Sequence, residues 1–243
     1  MAETNATFEI MSLTFDTAIE ARHRRIDPDD YRETYVIGDV HGCRATLDAL
    51  LDQLDAGPDT LLVFVGDLVR KGPDSEAVIE FVRTHDNAVT VMGNNERKLV
   101  DGEKTIQGLS DADLAYLEGL PLSISWPGNL VVHGGIDPRK PLGEQTREDL
   151  LTFRSLGDGG YERPYWFEQH CEAPRVFFGH TVLAEPFATA GAVGLDTGCV
   201  YGGHLTAYRL STGEFVSVEP AVTHQSRSTD SIVEPRPQCR PTA

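Results

Sequence analysis

The chain has 243 residues, 40% of them hydrophobic and 24% charged, an ordinary globular balance with enough apolar material for a sizeable core. Asp and Glu number 38 against 21 Lys and Arg, and the resulting net charge of −17 argues against a nucleic-acid duplex as partner. No apolar run approaches the ~18–20 residues of a membrane span, and the scattered cysteines, Cys43, Cys171, Cys199 and Cys239, read as reduced thiols of a cytoplasmic protein.

Residues 1–34 form a lead-in around a basic cluster, His23-Arg24-Arg25, with a strand or short helix and a loop, and their start does not read as a secretory signal. Residues 35–220 alternate strand and helix signals, the pattern of an α/β layered domain. Strands are expected over 35–40, 61–65, 88–92, 130–133, 176–178, 192–195, 205–210 and 214–218. Leu47, Leu50, Leu51 and Leu54 make one apolar stripe of a helix over 44–54, and a second helix follows Pro73 with Val78, Phe81 and Val82 on one face. Capping boxes open two more, Ser110-x-x-Asp113 and Thr146-x-x-Asp149. Trp126-Pro127-Gly128-Asn129 reads as a turn between antiparallel strands. The stretch 221–243 is rich in Pro, Ser, Thr and Arg and is expected to be a disordered tail. With only four lysines, the acidic chain has the composition of a halophilic protein, whose self-repulsion is screened by salt.

The strand ends carry the chemistry. Val36-Ile37 runs into Gly38-Asp39-Val40-His41, and Phe64-Val65 into Gly66-Asp67. Val91-Met92 leads to Gly93-Asn94-Asn95, Val131-Val132 to His133, and Phe177-Phe178 to Gly179-His180. In a layered α/β sheet such ends share one rim, where ligands bind. Two Asp, one Asn and three His make a mixed nitrogen and oxygen set that suits Mn²⁺, Fe²⁺ or Zn²⁺ better than a Ca²⁺ cage or a thiolate site.

These motifs, GDVHG (38–42), GDLVRKGPDS (66–75), GNNE (93–96), HGG (133–135) and GHT (179–181), with GLDTGCVYGGHLTAY (194–208), resemble the phosphoprotein-phosphatase group of calcineurin-like metallophosphoesterases. The group includes bacterial-type Ser/Thr phosphatases and symmetrical diadenosine tetraphosphate hydrolases. The resemblance implies an α/β fold with a central β-sandwich flanked by helices, a four-layer αββα arrangement. It implies two divalent metals, Mn first with Fe or Zn as alternatives. Asp39 and His41 would hold the first, Asp67 would bridge, and Asn94, His133 and His180 would complete the second. Such a pair activates a bridging water and clamps the phosphoryl oxygens. Arg154, Lys71 and Asn94 would bind substrate phosphate, and Tyr201 could lie nearby.

Two motifs depart from the family pattern. GDxxDRG here has Arg70 and Lys71, and GNHE has Asn95, so the aspartate–histidine pair that protonates the leaving group is replaced by Arg70 and Asn95. An amide cannot deliver a proton at neutral pH, which costs about 10²–10⁴-fold where general acid catalysis is needed. Anhydrides and aryl phosphates, which leave without protonation, are therefore favoured over phosphoserine. The expected activity is two-metal phosphoesterase chemistry, with a protein Ser/Thr phosphatase as the leading reading. A dinucleoside polyphosphate hydrolase is the alternative, and a non-catalytic phospho-ligand sensor or scaffold the option from another class. The expected substrates are a phosphorylated protein or a small phosphate ester or anhydride.

Overall fold

A computed structural model of the chain describes residues 13–236 and 238. Eleven strands are β1 (His23–Arg25), β2 (Glu33–Ile37), β3 (Thr60–Phe64), β4 (Ala88–Thr90), β5 (Ser123–Trp126), β6 (Asn129–Val131), β7 (Arg175–Phe178), β8 (Phe187–Ala188), β9 (Ala192–Gly194), β10 (Leu205–Arg209) and β11 (Phe215–Val218). The helices are α1 (Thr17–Glu20), α2 (Arg44–Leu54), α3 (Ser75–Thr84), α4 (Asn94–Val100), α5 (Asp111–Glu118), α6 (Arg147–Thr152) and α7 (Trp166–Gln169). They arrange around two sheets, ordered β1-β5-β6-β7-β9-β8 and β11-β10-β2-β3-β4.

Strand alternation builds the layers. Val36, Val63, Val89, Val131, Phe177 and Val193 pack in one cluster with residues of both sheets, which is the interior of a sandwich. Their neighbours Tyr35, Ile37, Leu62, Phe64, Leu130, Val176 and Phe178 turn the other way and pack against helical residues such as Leu47, Leu50, Val78, Leu150 and Trp166. Strands buried on both faces read as continuous apolar runs, which is why β3 is buried at every position. The expected αββα layering is present.

All eight expected strands form, as do the four expected helices, and Ser110 and Thr146 both cap as their motifs predict. The lead-in contributes β1, paired in parallel with β5, while residues 1–12 lie outside the described part. Helix α4 was not anticipated: it starts inside GNNE, too short for an apolar stripe, and its opening turn is held by Glu96, whose carboxylate accepts the Gly93 N–H at 2.8 Å.

Two expectations need correction. Residues 221–236 are not a loose tail: Val233 is buried, pairs with Leu183, and donates its N–H to Val182 at 2.8 Å. A composition poor in apolar residues underestimates this segment because a single core residue, Val233, together with backbone hydrogen bonds and arginine contacts, holds it. Cys171 is disulfide-bonded, so the expectation of four reduced thiols fails there, whereas Cys43 and Cys199 are free and buried. Cys239 lies outside the described residues. Among the described residues no helix is long and apolar enough to cross a membrane.

Candidate active site

Strands β2, β3 and β4 run parallel, as do β6, β7 and β9, so their C-terminal ends deliver side chains to common rims. Asp39 follows β2, Asp67 follows β3, Asn94 follows β4, His133 follows β6 and His180 follows β7. The turns are tight. His41, Asp67, Arg70, Lys71 and His180 all adopt positive φ, between 50° and 70°, a region costly for residues with a side chain and concentrated at functional sites. Gly179 is required here, since a Cβ at that position would collide with the Asp39 carboxylate.

Asp39, His41 and Asp67 are fully buried and bring one ligand atom each to within 4.8 Å of one another, a group able to hold a metal ion. His41 Nε2 lies 3.8 Å from Asp39 and 3.7 Å from Asp67. Its Nδ1–H donates to the Val69 carbonyl at 3.2 Å, which leaves the Nε2 lone pair to face a cation, here the Lys71 ammonium at 2.8 Å, and burial pushes its pKa down to about 4. Burial, reinforced by Asp196, holds the Asp39 carboxyl well above its ordinary range. Burial acts the same way on Asp67, but His133, His41 and Lys71 outweigh it and keep this carboxylate well below the usual value.

The second group converges on Asn94. His133 Nε2 lies 3.0 Å and His180 Nδ1 2.8 Å from Asn94 Oδ1, and His133 Nε2 also lies 3.4 Å from Asp67 Oδ1. His133 Nδ1–H donates to the Val65 carbonyl at 2.9 Å, so in its neutral form Nε2 presents a lone pair to two oxygens that can only accept. Such an arrangement demands positive charge. Without a metal it is met by a proton: burial opposes, but Asp67 prevails and pushes His133 up to about 9. Burial, with Arg154 and His133, holds His180 well below its ordinary value, which keeps its imidazole available as a neutral ligand. The donor set therefore fits divalent cations.

Asn95 bridges outward. Its side-chain amide donates to Asp67 Oδ2 and its Oδ1 accepts from an Arg70 Nη, while its backbone N–H donates to Asp67 Oδ1 at 2.8 Å. Beneath, the buried Glu96 carboxylate accepts the N–H groups of Asp67 (2.9 Å), Val69 (3.1 Å) and Gly93 (2.8 Å), tying the β3 loop to α4. Burial and the nearby Asp67 push Glu96 up to about 7.

Residues 33–214 match the family model described as calcineurin-like phosphoesterase. A bis(5'-nucleosyl)-tetraphosphatase PrpE (asymmetrical) of Oceanobacillus iheyensis is 31% identical over 228 residues, spanning 75% of this chain and 90% of that protein. A symmetrical bis(5'-nucleosyl)-tetraphosphatase of Janthinobacterium is 26% identical, spanning 76% and 96%. A crystal structure provisionally assigned as a diadenosine tetraphosphatase superposes with a TM-score of 0.72 at 31% identity, over 82% of this chain and 97% of that one. A Saccharomyces cerevisiae serine/threonine phosphatase shares the fold at a TM-score of 0.55, with 16% identity over 82% and 83%.

The chain belongs to the calcineurin-like phosphoesterase family.

A phosphoesterase of this family is a hydrolase that binds divalent metals, and here the candidate metal site is Asp39, His41 and Asp67. A cleft of about 180 Å³ opens onto it, lined among others by Asn94, His180 and five cations, Arg70, Lys71, Lys98, Arg154 and Arg227. None of the five makes an ion pair with a carboxylate among the described residues. Arg154 donates to Thr181 Oγ1 at 3.1 Å and to the His180 carbonyl at 3.3 Å, and lies 4.3 Å from the Tyr161 ring centroid. Lys71 Nζ is 2.8 Å from His41 Nε2 and 5.3 Å from the Tyr201 ring centroid. Every site residue expected from the sequence thus sits in or against one cleft, including Tyr201, whose ring meets His41 edge-on at 6.5 Å. Sequence reasoning missed Asp196, Lys98, Tyr161 and Arg227 as cleft residues. Asp196 carried a usable signal, since like Asp39 and Asp67 it is an aspartate just beyond the end of a strand, here two residues after Gly194 of β9. The other three had none.

Proposed function

We propose that the chain hydrolyses the phosphoanhydride linkage of dinucleoside polyphosphates, with Asp39, His41 and Asp67 holding one divalent ion and Asp67, Asn94, His133 and His180 a second. Mn²⁺ is the first choice for this mixed donor set, with Fe²⁺ or Zn²⁺ next. When bound, such a pair lowers the pKa of a water nucleophile and neutralises charge on the phosphoryl oxygens.

The observation that carries the reading is the cleft's set of cations with no carboxylate ion-pair partner among the described residues, five of 21 in a molecule of net charge −17. In so acidic a chain, cations without partners converge where a polyanion must be held. The Arg154 guanidinium offers a fork for phosphate oxygens, and Lys71 adds a point charge beside His41. Asn95 is occupied at both ends of its amide, by Asp67 and by Arg70, so it positions these groups and donates no proton to a leaving group. Hydrolysis of an anhydride needs none: the P–O bond breaks and the departing nucleotide keeps the electron pair on a phosphate oxygen, whose charge Arg70 is placed to offset. Protein Ser/Thr phosphatase, the leading reading from sequence, is less well supported, since a serine alkoxide departs poorly without an acid and the tetraphosphatase relatives are the more similar. The intact ligand set weighs against a non-catalytic sensor.

The test is a comparison of kcat/KM for a dinucleoside tetraphosphate and a phosphoserine peptide, with the purified protein in Mn²⁺, Fe²⁺ or Zn²⁺. The anhydride should be favoured by ~10²-fold or more, and Asp67→Asn should abolish both activities. Equal or reversed preference overturns the assignment.

A further inference from the structure

The segment after β11 returns to the cleft. The N–H groups of His224 and Gln225 donate to the Val200 carbonyl at 3.1 and 3.0 Å, and the Gln225 amide donates to the Lys71 carbonyl at 3.2 Å. Beyond, Val233 is buried beside Leu183, and the Arg236 N–H donates to Glu168 at 2.9 Å. Between these anchors the strap lowers Arg227 into the cleft wall. Its guanidinium lies 4.7 Å from the Tyr201 ring centroid and 5.4 Å from that of Tyr161. Nε donates to the Ser231 carbonyl at 3.0 Å and Nη2 to the Tyr161 hydroxyl, and Nη1 has no partner among the described residues.

Two features of this placement call for an anion. First, the Arg154 and Arg227 guanidiniums lie 4.3 and 5.4 Å from the same Tyr161 ring centroid and neither is ion-paired to a carboxylate among the described residues, an arrangement of like charges that a bound phosphate would relieve. Second, the other cations are partly committed: Lys71 to His41, Arg70 to Asn95, and Arg154 to Thr181 and the His180 carbonyl. Arg227 keeps a free prong, and its contacts with Tyr201 and Tyr161 and its bond to the Tyr161 hydroxyl hold the guanidinium in place.

We propose that Arg227, carried in by the C-terminal strap, is a phosphate-binding residue of the cleft, gripping the same phosphoryl group as Arg154. The assignment rests on the phosphoesterase site and not on the nucleotide, so it is tested with ligands that carry no nucleoside. The metal-loaded full chain is compared with Arg227→Met, which keeps an unbranched stem between the two rings, and with Arg227→Lys. The readouts are inorganic phosphate affinity by calorimetry, KM and kcat for p-nitrophenyl phosphate, bound metal and Tm. Arg227→Met should weaken phosphate binding and raise KM by ~10-fold or more, with kcat within about threefold and metal content unchanged. Arg227→Lys should recover only part of the loss. Unchanged affinity and KM overturn the proposal, as does full recovery by lysine. A loss that accompanies loss of metal and a lower Tm also overturns it, since Arg227 would then be only a brace. Failure to cleave dinucleotides would leave this result standing.

Discussion

At the scale of single residues, the site is defined by one substitution pair and the bonds it makes. Arg70 donates to Asn95 and Asn95 donates to Asp67, so Arg70 is linked to a carboxylate of the candidate metal site with no titratable proton between them. An imidazole at position 95 paired with a carboxylate at position 70 would restore a proton donor. Asn95→His alone should raise kcat/KM on a phosphoserine peptide by roughly 3- to 10-fold, because the introduced imidazole lacks an orienting partner, and adding Arg70→Asp should bring the gain to ~10²-fold. The double variant should lose activity on the dinucleoside tetraphosphate, having given up the cation beside the leaving phosphate. Stopped assays on both substrates decide it. If the double variant gains nothing on phosphoserine, acid catalysis is not what this cleft lacks.

At the scale of elements, strain is held in place by short connections, and Glu96 is the strongest of them. It sits on α4, fully buried, and satisfies three backbone donors, of which two belong to the β3 loop that sets Asp67 at a positive φ. Glu96→Ala strands those donors away from water, which costs about 2–4 kcal/mol. In a chain of this size that lowers Tm by roughly 5–15 °C. Metal affinity should fall as well, since Asp67 would relax from its left-handed turn, and calorimetric titration of Mn²⁺ checks this. A variant with unchanged Tm and unchanged metal affinity would make Glu96 incidental. The contrast between α4 and the strands explains what the sequence could reveal. Runs such as Leu61–Val65 announce a buried strand by continuous apolarity, and the Asp or His beyond each run is found by looking at its end. Helix α4 offers no periodic stripe, because its residues are committed to the site instead of a core: Asn94 faces the histidines, Asn95 faces Asp67, and Glu96 faces the loop. The strap was equally hidden. It is held by backbone bonds to Val200 and Val182 and by Arg227 between two tyrosines, contacts set by tertiary placement with no local pattern to betray them.

At the scale of the whole molecule, the charge is distributed against itself. The chain carries −17, yet its cleft gathers cations that form no ion pairs among the described residues, so the remaining surface is more acidic than the total implies. Several ion pairs at that surface are exposed, such as Arg97 with Glu148 and Arg209 with Glu214, and pairs of this kind contribute about 0–1 kcal/mol each, too little to offset repulsion among the unpaired carboxylates. Apolar contacts do not complicate the surface: among the described residues Leu114 and Val222 are the only exposed large hydrophobics, so added salt acts chiefly on charge. Screening shortens the range of repulsion from about 10 Å at 0.1 M to about 3 Å at 1 M, while the buried groups of the candidate metal site are screened little. Stability should therefore rise with KCl, with Tm higher by at least about 5 °C at 2 M than at 0.1 M, equivalent to roughly 1–2 kcal/mol. Differential scanning calorimetry of the metal-loaded protein across that range is the measurement. A flat or falling Tm would mean that the acidic excess is spaced widely enough to be neutral for folding, and the halophilic reading of the composition would go with it.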